Sequence, residues 1–189
     1  MTRRIVLWMG VSADGFFEGP DGDIGWHRVD EELHQHFNDE LRRMSAFLEG
    51  RRTWQLMEAY WPSVGDDPQS GAVERDFAGI WRDTPKVVYS RTLREVGSGA
   101  TLEREVDPAA VRALTEQPGG DMTLGGADLG ATFLRLGLVD EVRLYVMPVV
   151  LGRGRRVFGD DAHLDLELVE TRAFGNGVVL LRYAATATA

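Results

Sequence analysis

The chain has 189 residues, 43% of them hydrophobic, enough for one substantial core and too ordered a composition for a peptide ligand or a disordered tail. Its 21 basic and 30 acidic residues leave a net charge of -9, whose long-range field repels polyanions and so excludes a general nucleic-acid or anionic-membrane binder. With no cysteine there is neither a disulfide framework nor a thiolate zinc site, and the expectation is a single cytoplasmic domain spanning 1–189.

Met1 to Val11 carries two arginines and an apolar run interrupted at Asp14, too short for a signal peptide or a membrane span. The nearly unbroken run Ile5 to Val11 instead predicts a central strand covered on both faces. Glu18 to His27, rich in Gly, Pro and Asp, predicts a loop long enough to cover a site. Asp30 is a capping residue for a helix whose buried stripe is Leu33, Phe37, Leu41, Met44 and Leu48, although Ala46 to Leu48 reads equally as strand.

Thr53 is expected to cap a second helix through Trp54, Met57 and Trp61, with Pro62 stopping it. Val73, Phe77, Ile80 and Trp81 make another apolar stripe, and Val87 to Tyr89 a short strand ended by Ser90-Arg91. Asp107-Pro108 opens a helix, and Met122 to Leu124 is a strand running into Gly125-Gly126. Leu129, Phe133 and Leu136 line the next helix, with Gly137 closing it, and Glu141 to Val150 is β-branched strand. Asn176-Gly177 signals a hairpin between Leu164–Phe174 and Val178–Tyr183, and Ala184 to Ala189 is a tail expected to fray. The whole predicts α/β architecture: a three-layer α/β/α stack on a mostly parallel sheet with an antiparallel C-terminal hairpin.

In such sheets ligands bind beyond the carboxyl ends of the strands, where helix N-termini present unpaired amides. Three turns qualify. Gly50-Arg51-Arg52-Thr53 offers close backbone approach, a hydroxyl and two cations; its plainer reading is a capped helix with solvated arginines. Gly125-Gly126-Ala127 suits a pyrophosphate, and it is neither GxGxxG nor a Walker loop, since Ala131 stands where a Walker lysine is required. Ser90-Arg91 pairs a hydroxyl with a fixed cation, a means of reading an adenosine 2'-phosphate; alone, it is a surface turn. His34 and His36 stand two apart on different sides of a helix, and His27 and His163 lack a partner at ligand spacing, so no metal is expected.

The order of these features resembles the dihydrofolate reductase superfamily. Phe47 to Trp54 is similar to its strand, glycine, arginine, threonine and tryptophan segment, Val88 to Arg91 to its ribose-phosphate turn, and Leu124-Gly125-Gly126 to its diglycine turn. Ser12 to Gly15, Trp26 and Leu144 to Val146 extend the likeness over most of the chain. Pro148 to Gly154 resembles the riboflavin-biosynthesis reductase domain, the C-terminal part of bifunctional deaminase/reductases, here without the deaminase cysteines.

The resemblance implies an NADPH-dependent reductase acting on a small heterocycle, pyrimidine- or pterin-like. It places Gly50, Arg51, Arg52 and Thr53 on cofactor phosphates, Ser90 and Arg91 on the 2'-phosphate, and Gly125, Gly126, Ala127 and Leu129 along the pyrophosphate. Gly10 and Phe17 fall beside the nicotinamide. Folate reductases carry a carboxylate at the helix start after the loop tryptophan; Asp30, Glu31 and Glu32 lie there, none in gapless alignment. Glu31 and Asp14 are thus the candidate acids, against plain readings as a solvated helix start and a turn residue. Family members dimerise, so a homodimer pairing its β-rich C-terminal region is expected. The alternatives are a folate reductase or a non-catalytic dinucleotide-binding dimerisation module.

Overall fold

The computed structural model describes residues 2–97, 99–159 and 163–186. The first apolar run is β1 (Ile5–Ser12), followed by a short strand β2 (Phe16–Glu18) and a 3-10 turn at Pro20–Gly22. The next helix, α1 (Glu31–Leu41), is capped by Asp30, whose carboxylate accepts the Leu33 N–H at 3.0 Å. It ends before Met44, and Leu48 lies instead in β3 (Ala46–Gly50), so the ambiguous apolar run is strand.

Two expectations for α2 (Arg51–Val64) are corrected. Gly50, not Thr53, is its N-cap, and Thr53 sits one turn in, facing a neighbouring loop. Pro62 lies inside the helix, two residues from its end, where a missing N–H releases only the Glu58 carbonyl.

Then come α3 (Ala72–Asp83), β4 (Lys86–Tyr89), β5 (Ala100–Glu103), α4 (Pro108–Thr115), β6 (Met122–Gly125) and α5 (Ala127–Arg135). The chain closes with β7 (Glu141–Met147), β8 (Arg155–Arg156), β9 (Asp165–Ala173) and β10 (Val179–Thr186). Leu136 is 37% exposed rather than core, because α5 ends at Arg135 and Gly137, at φ +61°, turns the chain away. β7 stops before Pro148, shorter than expected. Ala184 to Thr186 do not fray: they pair in β10 with Asp165 to Glu167, and residues 187–189 lie outside the described residues.

The 8-stranded sheet runs β5-β4-β3-β6-β1-β7-β10-β9, parallel through β7 and antiparallel across β7, β10 and β9. One face packs Leu7, Leu48 and Leu124 against Val111 of α4 and Leu129 and Phe133 of α5. The other packs Phe47 and Val88 against Trp54, Phe77 and Trp81 of α2 and α3. Farther along that second face, Tyr145 and Leu180 meet Leu33 and Phe37 of α1.

At the start of β7 the buried Glu141 accepts from Arg143 at 2.6 Å, Arg182 at 2.7 Å and Arg4 at 2.9 Å. Its carboxyl is held below the usual carboxylate range by the Arg182 and Arg143 hydrogen bonds, which outweigh burial. Charge at that edge is spent on pairing, whereas the carboxyl edge keeps open groups.

Candidate functional site

β4, β3 and β6 are parallel neighbours, with Tyr89 beside Gly50 and Glu49 beside Gly125. Segments 90–91, 50–53 and 125–127 therefore leave one edge of the sheet about 5 Å apart from strand to strand. The structure brings all three predicted turns together.

Two of them are in contact. A Cβ on Gly126 would stand 2.9 Å from Thr53 Oγ1, one on Gly125 would lie 3.5 Å from the Thr53 methyl, and one on Gly50 would meet Leu129 at 3.7 Å. Gly126 also has φ +99°, a conformation that disfavours any residue with a side chain. Helices α2 and α5 thus begin side by side with no side chain capping either one, leaving first-turn N–H groups free to face an anion. Ala127 and Leu129 are buried beneath as the floor.

Charge is arranged around this opening. Arg51 donates to Gln55 at 3.1 Å and is otherwise exposed, while Arg52 lies 3.9 Å from Glu18. Arg91 is exposed. Ser90 is buried, and its Oγ accepts the Thr92 and Leu93 N–H groups at 3.2 and 3.0 Å, so its hydroxyl hydrogen is what remains for a ligand. Phe17, on β2, lies 5.2 Å below the Arg155 guanidinium, which pairs with Glu18 at 3.0 Å and reaches Asp128 in the first turn of α5. The β2–β8 ribbon, absent from the sequence reading, is thereby strapped to the starts of both helices.

The candidate acids separate. Asp14 accepts the Ser12 hydroxyl at 2.7 Å, the Gly152 N–H at 2.7 Å and the Leu151 N–H at 3.1 Å. The Ser12 hydrogen bond, supported by those two amides, lowers its carboxyl to about 2, which makes it an ionised tether for the 151–152 turn rather than a proton source. Glu31 is an exposed first-turn residue of α1 with no ion pair among the described residues. Its neighbour Glu32 instead accepts the Gly175 N–H at 3.1 Å, fastening the hairpin.

Gly10 is not open. The His27 imidazole fills the space beside it, 3.2 Å from where a Cβ would stand, with the Met147 methyl at 3.5 Å. His27 Nε2 is buried without a hydrogen-bond partner, and burial pushes the imidazole below its ordinary pKa, so it is neutral at pH 7.

A second buried group was also missed. Glu49, the residue before Gly50, lies under α2 with Oε2 unpartnered, and burial pushes its carboxyl up to about 8. One acid inside the apolar run Ala46 to Gly50 was the available signal. His27 had none beyond its place in the loop.

The sheet order, the layers and these strand tips define a dihydrofolate reductase-like fold. The enzyme of that name from Enterococcus faecalis, complexed with NADP(H), superposes with a TM-score of 0.65 at 13% identity, over 98% of this chain and 99% of that one. The chain belongs to the RibD C-terminal domain family, whose model matches residues 3–180. YyaP of Bacillus subtilis (strain 168), described as uncharacterized, is 38% identical over 183 residues, 96% of this chain and 94% of that protein. A Thermotoga maritima diaminohydroxyphosphoribosylaminopyrimidine deaminase/5-amino-6-(5-phosphoribosylamino)uracil reductase superposes with a TM-score of 0.65 at 18% identity; 98% of this chain covers 57% of that larger one. Among the described residues no helix is long and apolar enough to cross a membrane, and no cluster of metal-ligating side chains occurs.

Proposed function

We propose that this chain is an NADPH-dependent reductase that transfers hydride to a small heterocycle of the phosphoribosylaminouracil type. The observation that carries the reading is the double opening of α2 and α5, joined by Thr53 against Gly126, where a Cβ would fill the cradle. Membership of the RibD C-terminal domain family supports it.

The bound cofactor would supply the hydride. Gly125, Gly126, Ala127 and Leu129 would hold the pyrophosphate at the start of α5, and Thr53, Gly50, Arg51 and Arg52 would hold phosphate from the α2 side. Ser90 and Arg91 would take the 2'-phosphate at the next strand tip. Arg52 faces Glu18 only at 3.9 Å and Arg91 is exposed, so neither must break a short ion pair to do so. Phe17 would wall the place of transfer, with the His27 ring rather than open space beside Gly10, the β2–β8 strap would exclude water, and Glu31 is the exposed carboxylate at the start of α1 without an ion pair among the described residues.

The test is NADPH oxidation followed at 5-amino-6-(5-phosphoribosylamino)uracil and, separately, at dihydrofolate. Turnover of the uracil supports the reading, and turnover of dihydrofolate alone makes the chain a folate reductase. NADPH-induced thermal stabilisation without turnover of either would make it a binding module, and no stabilisation at millimolar NADPH would end the proposal.

We also infer a homodimer. On the face of β7, β10 and β9 away from α1, register places Leu144, Val146, Leu181, Tyr183, Leu166 and Leu168 side by side, and the charged residues Arg143, Arg182, Glu170 and Arg172 point to the other face. Leu168 is 56% exposed. Three strands of this length span roughly 400 Å² in plan, the scale of the largest apolar patch a monomer carries, which is often functional. Copies of a chain with net charge -9 repel elsewhere, so this uncharged face is where a second copy fits.

A further inference from the structure

The turn that follows β4 is held by one side chain from the neighbouring strand. Arg104, the residue after β5, donates through Nη1 to the Ser90 carbonyl at 3.3 Å and to the Leu93 carbonyl, and through Nη2 to the Arg94 carbonyl at 3.4 Å. Register fixes its place: Tyr89 pairs with Glu103, and the Ser90 N–H continues the ladder onto the Glu103 carbonyl at 2.8 Å, so Arg104 leaves β5 level with the turn. Leu93 anchors the turn as well, packed against the cluster of Trp54, Phe77 and Trp81.

One guanidinium thus takes up three carbonyl oxygens of a single turn, while the Ser90 hydroxyl oxygen takes up the Thr92 and Leu93 N–H groups. The charge left over is cationic. Among the described residues Arg91, Arg94 and Arg104 have no ion pair, and none of the nearby Glu95, Glu103 and Glu105 comes within ion-pair distance of them, in a chain whose net charge is -9. A planar fork of fixed N–H donors holds several carbonyls in one arrangement, which an ammonium on a flexible stem does not.

We infer that Arg104 is a positioning residue for cofactor selection: it fixes the 90–94 turn so that the Ser90 hydroxyl and the Arg91 guanidinium meet an adenosine 2'-phosphate together, and so sets the preference for the phosphorylated over the unphosphorylated nicotinamide cofactor. This role rests on the reductase reading above and acts only through the turn. With Arg104 removed, three carbonyl oxygens lose their cation and the turn that carries Arg91 keeps only its Ser90 and Leu93 anchors.

The experiment titrates NADPH and NADH, by fluorescence, into wild type, Arg104→Ala, Arg104→Lys, Arg91→Ala and the double variant Arg91→Ala/Arg104→Ala. Arg104→Ala is expected to weaken NADPH about tenfold and NADH less than about twofold, the NADH value showing that the rest of the site is folded. Arg104→Lys keeps the charge without the fork and is expected to recover no more than about twofold of the loss. In the double variant NADPH is expected to bind within about twofold of Arg91→Ala alone, because a residue that acts through another adds little once that other is gone. Unchanged NADPH binding in Arg104→Ala, equal losses of NADPH and NADH, full recovery by lysine, or losses that multiply in the double variant overturn the positioning role and leave the reductase reading standing. A wild type that binds NADPH no more tightly than NADH overturns this role together with the reading of Ser90 and Arg91.

Discussion

Replacing Glu49 by Gln tests whether an acid is kept neutral directly behind the Gly50 cap of α2. Glu49 is 5% exposed on β3, one residue before the Gly50 cap of α2, and its second oxygen has no partner. Burial is the dominant cause of its raised pKa; Lys86 opposes the rise and Glu58 adds to it. The folded-state value of about 8 stands above the ordinary 4.5, so the folded chain binds a proton that the unfolded chain releases. Stability from this group is therefore complete below pH 4.5 and is lost progressively until the pH passes about 8. At about 1.4 kcal/mol per pH unit, the ceiling on that loss is roughly 5 kcal/mol.

Glutamine keeps the shape and never ionises. The variant should match wild type at pH 4 to 5 and exceed it by several kcal/mol at pH 9, with a flatter profile between. Urea unfolding followed by tryptophan fluorescence at half-unit pH steps measures the difference. Parallel profiles for the two proteins between pH 5 and pH 9 would refute the reasoning, because they would mean that Glu49 ionises in the folded state as it does in the unfolded one.

Arg91→Ala should weaken NADPH at least tenfold while changing NADH less than twofold, by fluorescence titration; equal losses would mean that the guanidinium does not read the 2'-phosphate. Gly126→Ala forces a Cβ to 2.9 Å from Thr53 Oγ1 at φ +99°, so a loss of about 2–3 kcal/mol in urea unfolding, with weaker NADPH binding, is expected. A variant as stable as wild type would show that the diglycine turn has room. Leu168→Arg places a charge on a side chain already 56% exposed and should convert the proposed dimer to a folded monomer in sedimentation velocity; a monomeric wild type at tens of micromolar would remove the proposed face.

The parts of the site made by local chain geometry were legible in the sequence. A strand followed by glycine and a helix start leaves its own mark, and three such marks at 50–53, 90–91 and 125–127 proved to lie on adjacent strands. The errors fall where a local signal had two uses. Thr53 is a good capping residue, yet with glycine at the cap position its hydroxyl is free to face Gly126, a contact set by the pairing of β3 with β6 across more than seventy residues of sequence. β5 escaped because Ala100 to Glu103 alternates between half-buried and exposed at an edge of the sheet, without an apolar run, and the ribbon of β2 with β8 is too short to have a period.

What no pattern announces is a polar group that tertiary packing strands. Whether Glu49 is an exposed anion or a neutral acid depends on α2 and on Lys86 and Glu58, none of which its own strand specifies. His27 likewise reads as one polar residue in a polar loop until the loop folds back over Gly10. Glu49 precedes Gly50 and His27 packs on Gly10, and both carry an unsatisfied atom. The strand tips, which follow a local rule, are suited to grip the part of a ligand common to many proteins. A contact that discriminates between ligands would then fall to groups whose environment is assembled from distant segments, which no local pattern announces.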